Sequence, residues 1–124
     1  MANAKFGRVI TAMITPFTAD GEVDYEGAVT LAKHLVEHGS EGILVGGTTG
    51  EGATMTADEK LKLYAAVVNA VGRNASGKKV PVMGNLGGIS TTESIAFAKK
   101  AVETGIDSGL VIVPFYVKPN PVSY

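Results

Sequence analysis

Apolar positions in this chain gather into four short runs, 7–14, 42–45, 80–84 and 110–113, separated by longer stretches whose apolar residues recur three or four apart. The short runs are rich in Val, Ile, Leu and Met, the pattern of strands buried on both faces. The longer stretches carry helical periodicity. The first predicts a helix from an Asp24 N-cap to a stop at Gly39, with Ala28, Leu31, Ala32, Leu35 and Val36 on its apolar stripe. The second opens on Thr56-Ala57-Asp58-Glu59 and continues to about Val71. In that spacing a Thr hydroxyl and a Glu carboxylate can each accept from the other's backbone N–H, which makes a capping box. The third opens on a second such box, Ser90-Thr91-Thr92-Glu93, and carries Ile95, Ala96, Ala98, Lys99 and Val102 towards Gly105. Pro81 is acceptable at a strand start. The tail, 117–124, has no periodic pattern.

Strand and helix therefore alternate with a period of roughly 35 residues, which predicts an α/β protein whose parallel strands are joined by right-handed crossovers. Two architectures share that pattern: an open doubly wound sheet and a (β/α)₈ TIM barrel. Four strands cannot close a barrel, so in the second case residues 1–124 form a partial domain, the N-terminal half. In both, ligands bind beyond the C-terminal strand ends. Thr15, the 46–51 loop, the loop at Asn85 and Tyr116 all fall there.

The loop Gly46-Gly47-Thr48-Thr49-Gly50-Glu51 is the richest in chemistry. Glycines let a backbone reach positive φ and approach a ligand, leaving amide N–H groups and the Thr48 and Thr49 hydroxyls for an anionic oxygen. The plain alternative is a tight turn. Neither a phosphate-binding loop nor a dinucleotide fingerprint fits: the glycine spacing is wrong, and Gly52 is followed by Ala53-Thr54 rather than Lys-Ser/Thr. A hydroxyl linked to a Tyr can relay a proton, and Tyr116 is the matching Tyr. Packing of its ring at the rim is the alternative role. For Glu51, capping of backbone N–H groups is favoured over general-base work. His34-Leu35-Val36-Glu37-His38 matches a zinc-peptidase pattern, but both His residues sit in a last helical turn where cations suit the dipole, so no metal site is expected. None of the nine lysines lies inside an apolar strand, where desolvation would prepare an amine for Schiff-base chemistry.

Composition narrows the partners. With 124 residues, 45% of them hydrophobic, a core is affordable. A net charge of −1 with scattered Lys and Arg gives no nucleic-acid footprint. The absence of Cys excludes disulfides and thiol catalysis and suits a reducing cytoplasm. No stretch reads as a signal peptide, and the apolar run 110–115 is too short to cross a membrane.

Ala12-Met13-Ile14-Thr15-Pro16-Phe17, Gly47-Thr48-Thr49-Gly50-Glu51 and Pro114-Phe115-Tyr116-Val117-Lys118-Pro119, in that order, resemble the dihydrodipicolinate synthase family of class I aldolases. The first Thr of Gly-Thr-Thr-Gly-Glu distinguishes that form from the sister N-acetylneuraminate lyases, which usually carry Ser. The resemblance implies a (β/α)₈ barrel without cofactor, joining pyruvate to L-aspartate 4-semialdehyde on the way to diaminopimelate and lysine. It makes Thr48 a proton-relay residue, Thr49 a binder of the pyruvate carboxylate, and Tyr116 a relay residue lent across a tight-dimer interface in a homodimer or tetramer. The Schiff-base Lys comes later in that family, so the 124-residue chain is expected to be inactive alone. A non-catalytic half-barrel assembly module and a sister 2-oxo-acid aldolase are the alternatives.

Three departures from the family pattern stand out. Asn85-Leu86-Gly87-Gly88-Ile89 replaces a Gly-Thr-Gly-Ser-Asn-like loop, and Asn120-Pro121-Val122-Ser123 replaces Ser-Gln-Glu-Gly. Feedback-inhibited members also carry His in the second helix and a Tyr before Tyr116, where this chain has Ala57, Lys60 and Phe115. With Ile89, these residues imply no regulation by lysine.

Overall fold

The computed structural model describes residues 6–72, 77–120 and 122. Four strands, β1 (Ile10–Ala12), β2 (Gly42–Val45), β3 (Val82–Asn85) and β4 (Ser108–Leu110), alternate with helices α1 (Tyr25–Glu37), α2 (Ala57–Val71) and α3 (Thr91–Val102). The sheet runs β1-β2-β3-β4, every pair parallel. Thr11 lies beside Ile43 and Ile43 beside Val82, while Ala12, Leu44, Met83 and Ser108 form the next row.

The rows alternate in burial. Met13, Ile43, Val45 and Val82 join Ala28 and Ala32 of α1, Leu63, Tyr64, Val67 and Val71 of α2, and Ala101 of α3 in one core. The opposite face carries Ile10, Ala12 and Ile14, all exposed, with Ile14 at 56%. All three helices therefore cover a single face of a sequentially ordered sheet. A doubly wound sheet reverses its strand order and places helices on both faces, so this is half of a (β/α)₈ barrel.

The helix starts follow local chemistry. Asp24 Oδ1 accepts from Gly27 N at 2.9 Å. Thr56 and Glu59 complete their reciprocal box at 3.2 and 2.9 Å. At α3 half of the expected box forms: Ser90 Oγ accepts from Glu93 N at 3.3 Å, and no return bond from Glu93 is present among the described residues. Pro81 precedes β3 and its carbonyl accepts from Ile43 N at 3.0 Å, so the ring costs the ladder no donor there.

Two other sequence expectations are corrected. The last strand is 108–110 rather than 110–113, because β3 ends at Asn85 and the bond from Leu86 N to Leu110 O closes the ladder. Val111, Ile112 and Val113 are consequently exposed. On α3 the inward face is Ser94, Phe97, Ala98 and Ala101, whereas Ile95 and Val102 point outward, Val102 being 66% exposed. The helix turns towards α2, and its Phe97 ring meets Tyr64 edge-on at 6.2 Å.

Candidate active site at the strand ends

β2 is followed by Gly46, whose φ of +71° belongs to glycine. A Cβ there would lie 2.7 Å from the Tyr64 hydroxyl, and a Cβ on Gly52 would collide with the Gly46 carbonyl. Gly52 N donates to Gly47 O at 3.1 Å and Glu51 N to Thr48 O at 3.0 Å. From the neighbouring strand end, buried Thr15 donates its hydroxyl to Gly50 O at 2.7 Å. The loop is thus closed on itself and fastened to the end of the first strand.

What it leaves open is polar. The side chains of Thr48 and Thr49 are exposed and enter no hydrogen bond among the described residues. The N–H groups of Thr48, Thr49 and Gly50 likewise enter no backbone bond among them. Two hydroxyls and three amide donors on consecutive residues can satisfy the oxygens of a carboxylate.

Glu51 differs from the capping expectation. It precedes a single 3₁₀ turn, Gly52–Thr54, with φ of +56° and no side-chain capping bond. Thr54 Oγ1 donates instead to the Glu51 carbonyl at 2.9 Å.

Tyr116 lies beyond β4 with φ of +68°, in a three-residue turn closed by Val117 N donating to Phe115 O at 2.8 Å. It is 89% exposed. No hydrogen bond joins it to Thr48 among the described residues. A non-glycine residue in this region costs roughly 1–3 kcal/mol, and here it turns the phenol away from the chain's own core.

The described lysines lie on helices, before β3 or at position 118; Lys5 is outside the described residues. Lys60 is the one whose ammonium is disfavoured by burial. It sits with Ala57, Ile89, Ser90, Glu93 and Phe97 around a cleft of about 310 Å³ between the starts of α2 and α3. Its Nζ lies 4.8 Å from the centre of the Phe97 ring. Phe115 does not line that cleft. His34 and His38 stack at 4.0 Å on the exposed end of α1, and no group of three or more potential metal ligands occurs among the described residues.

Sequence reasoning missed Thr15 as a tether and Tyr64 altogether. Tyr64 is fully buried, its hydroxyl donates to Asn85 O at 2.7 Å, and burial pushes its phenol well above the ordinary range. A Tyr on the inward stripe of α2, facing a strand that contains Gly84, was the available signal: a Cβ on Gly84 would lie 2.8 Å from the Tyr64 ring.

Comparison with known proteins agrees with the half-barrel fold. Residues 5–123 match the model of the dihydrodipicolinate synthetase family. The chain is 50% identical over 114 residues to 4-hydroxy-tetrahydrodipicolinate synthase of Symbiobacterium thermophilum, covering 92% of this chain and 37% of that protein. It superposes with a TM-score of 0.85 on dihydrodipicolinate synthase from Cyanidioschyzon merolae, crystallised with lysine bound, at 49% identity over 92% of this chain and 37% of that one. YagE from E. coli K12, a prophage protein of the family solved in complex with pyruvate, gives a TM-score of 0.86 at 31% identity over 97% of this chain and 39% of that one. The chain spans little more than a third of the length of these relatives. No described helix is long and apolar enough to cross a membrane.

Proposed function

The chain belongs to the dihydrodipicolinate synthetase family, and from that premise we propose that it is the carboxylate-holding N-terminal part of a class I pyruvate aldolase. The reaction proposed for the whole enzyme is that of 4-hydroxy-tetrahydrodipicolinate synthase, which condenses pyruvate with L-aspartate 4-semialdehyde in diaminopimelate and lysine biosynthesis. The observation that carries the reading is the set of unspent donors at Thr48, Thr49 and Gly50, held on a loop at the C-terminal end of a barrel strand.

In this reading Thr49 binds the pyruvate carboxylate, and Thr48 relays a proton in company with Tyr116. The exposure of Tyr116 and its left-handed turn suit a phenol that reaches a neighbouring subunit, and so a homo-oligomeric enzyme. The composition suits the cytoplasm. Covalent chemistry needs an amine to form the pyruvate imine, whose enamine then attacks the aldehyde. None of the described lysines lies in a strand, so the 124-residue chain by itself binds pyruvate without turning it over.

Borohydride reduction with pyruvate, combined with amide NMR, tests this. The expected result is pyruvate-dependent shifts at Thr48, Thr49 and Gly50 and no covalent adduct. A stable adduct would overturn the inactivity, and unmoved loop amides would overturn the carboxylate site.

One observation favours a second reading. The apolar sheet face at Ile10, Ala12 and Ile14 is uncovered in this chain. A non-catalytic half-barrel that assembles through this face would elute above monomer mass on gel filtration and leave the Thr48 and Thr49 amides unmoved by pyruvate.

A further inference from the structure

Gly46 is held from two directions. On one side a Cβ would meet the Tyr64 hydroxyl at 2.7 Å; on the other, the Gly46 carbonyl lies against Gly52. Tyr64 stands on α2, which begins only after the loop has ended, so the helix reaches back beneath the loop that precedes it. Its hydroxyl donates across to Asn85 O at the end of β3. Its ring rests on Gly84, where a Cβ would lie 2.8 Å from Cε2, and meets Phe97 of α3 edge-on. Tyr64 is therefore the side chain shared by the ends of two strands and by the first residue of the candidate loop. It touches none of the hydroxyls expected to meet ligand.

We infer that Tyr64 is a positioning residue: by bonding Asn85 and bearing on Gly46, it fixes the height and direction at which the Thr48 and Thr49 donors leave the sheet. The inference rests on the reading that these donors hold a carboxylate. The arrangement has a built-in direction. Moving the phenol off Asn85 frees a half-buried carbonyl and removes the stop under Gly46, so the loop gains a second position. Loss of the ring would instead leave a cavity between α2 and α3, a matter of stability alone. Only the hydroxyl distinguishes positioning from packing.

Tyr64→Phe keeps the ring and removes the donor. In the 124-residue chain, this variant is expected to speed amide hydrogen exchange across 46–50 and to weaken pyruvate binding by roughly five-fold, the scale of one buried hydrogen bond. Val71→Ala, a cavity on the same helix away from the loop, serves as comparison: it lowers the unfolding midpoint but leaves those amides and the pyruvate affinity unchanged. The inference is overturned if Tyr64→Phe behaves like Val71→Ala. It is also overturned if Gly84→Ala, which pushes the ring from the far side, shifts the 46–50 amides equally in wild-type and Tyr64→Leu backgrounds, because the push then travels through the sheet. If the wild-type chain binds no pyruvate, the carboxylate reading fails, while amide exchange in the same variants still decides the role of Tyr64.

Discussion

The hydroxyl of Thr15 donates to the carbonyl of Gly50 at 2.7 Å, tying the end of the first strand to the loop that follows the second. Both residues are buried, so the carbonyl has no water to fall back on. Thr15→Val preserves shape and removes the donor. It is expected to cost about 1–3 kcal/mol in urea unfolding and to raise exchange at the Glu51 and Gly52 amides. Equal stability for wild type and Thr15→Val would show the tether to be idle.

Gly46 has no space and no backbone freedom for a side chain. Gly46→Ala combines a left-handed alanine with a clash against the Tyr64 hydroxyl, and a loss of ~2–4 kcal/mol is expected. In a Tyr64→Leu background the clash disappears and only the backbone cost remains. Chemical denaturation of the four proteins in that cycle measures the coupling, and strict additivity would contradict the contact.

The two helix caps differ in kind, and their mutants should differ too. Thr56→Ala breaks a reciprocal box and is expected to cost about 1 kcal/mol, more than Ser90→Ala, which breaks a single bond. Glu59 is held below its ordinary value of 4.5 by its bond from the Thr56 backbone. A carboxyl depressed in the folded state stabilises above its unfolded value, and that contribution fades as pH falls through the folded one. Glu59→Gln should therefore lower the neutral plateau of stability and flatten the acid limb below pH 4.5, so that variant and wild type converge at low pH. Thermal melts across that range decide it, an unchanged acid limb being the contrary result.

The cleft between α2 and α3 should reject lysine. Lys60 lines it, and burial already disfavours that ammonium, so a second cation would be held beside a charge that is costly to keep there. Calorimetric titration of the chain with lysine at millimolar concentration is expected to give no binding heat. Saturable binding of lysine to the wild-type chain would refute this argument.

How much of this was legible beforehand depended on the distance over which each feature is determined. The Asp24 cap and the Thr56 box are settled within four residues, and both form as read. The extent of β4 is settled by where β3 stops, so a continuous apolar run at 110–113 was misleading. On α3, Ile95 and Val102 looked like core because they are apolar. The face that turns inward instead carries Phe97, whose ring meets Tyr64 edge-on. Thr48 and Thr49 stood out as candidates because glycines flank them, whereas Tyr64 stayed hidden because its partners, Gly46, Gly84 and Asn85, meet only once strand register is known.

A loop clamped beneath Gly46 and tethered at Gly50 would also shape the thermodynamics of the proposed carboxylate binding. Donors in place before the anion arrives would let association freeze little backbone and keep most of each hydrogen bond as affinity. The proposed site would then bind small carboxylates with little entropic penalty and discriminate among them by shape. A flexible glycine loop of the same composition would accept them all and hold each of them poorly.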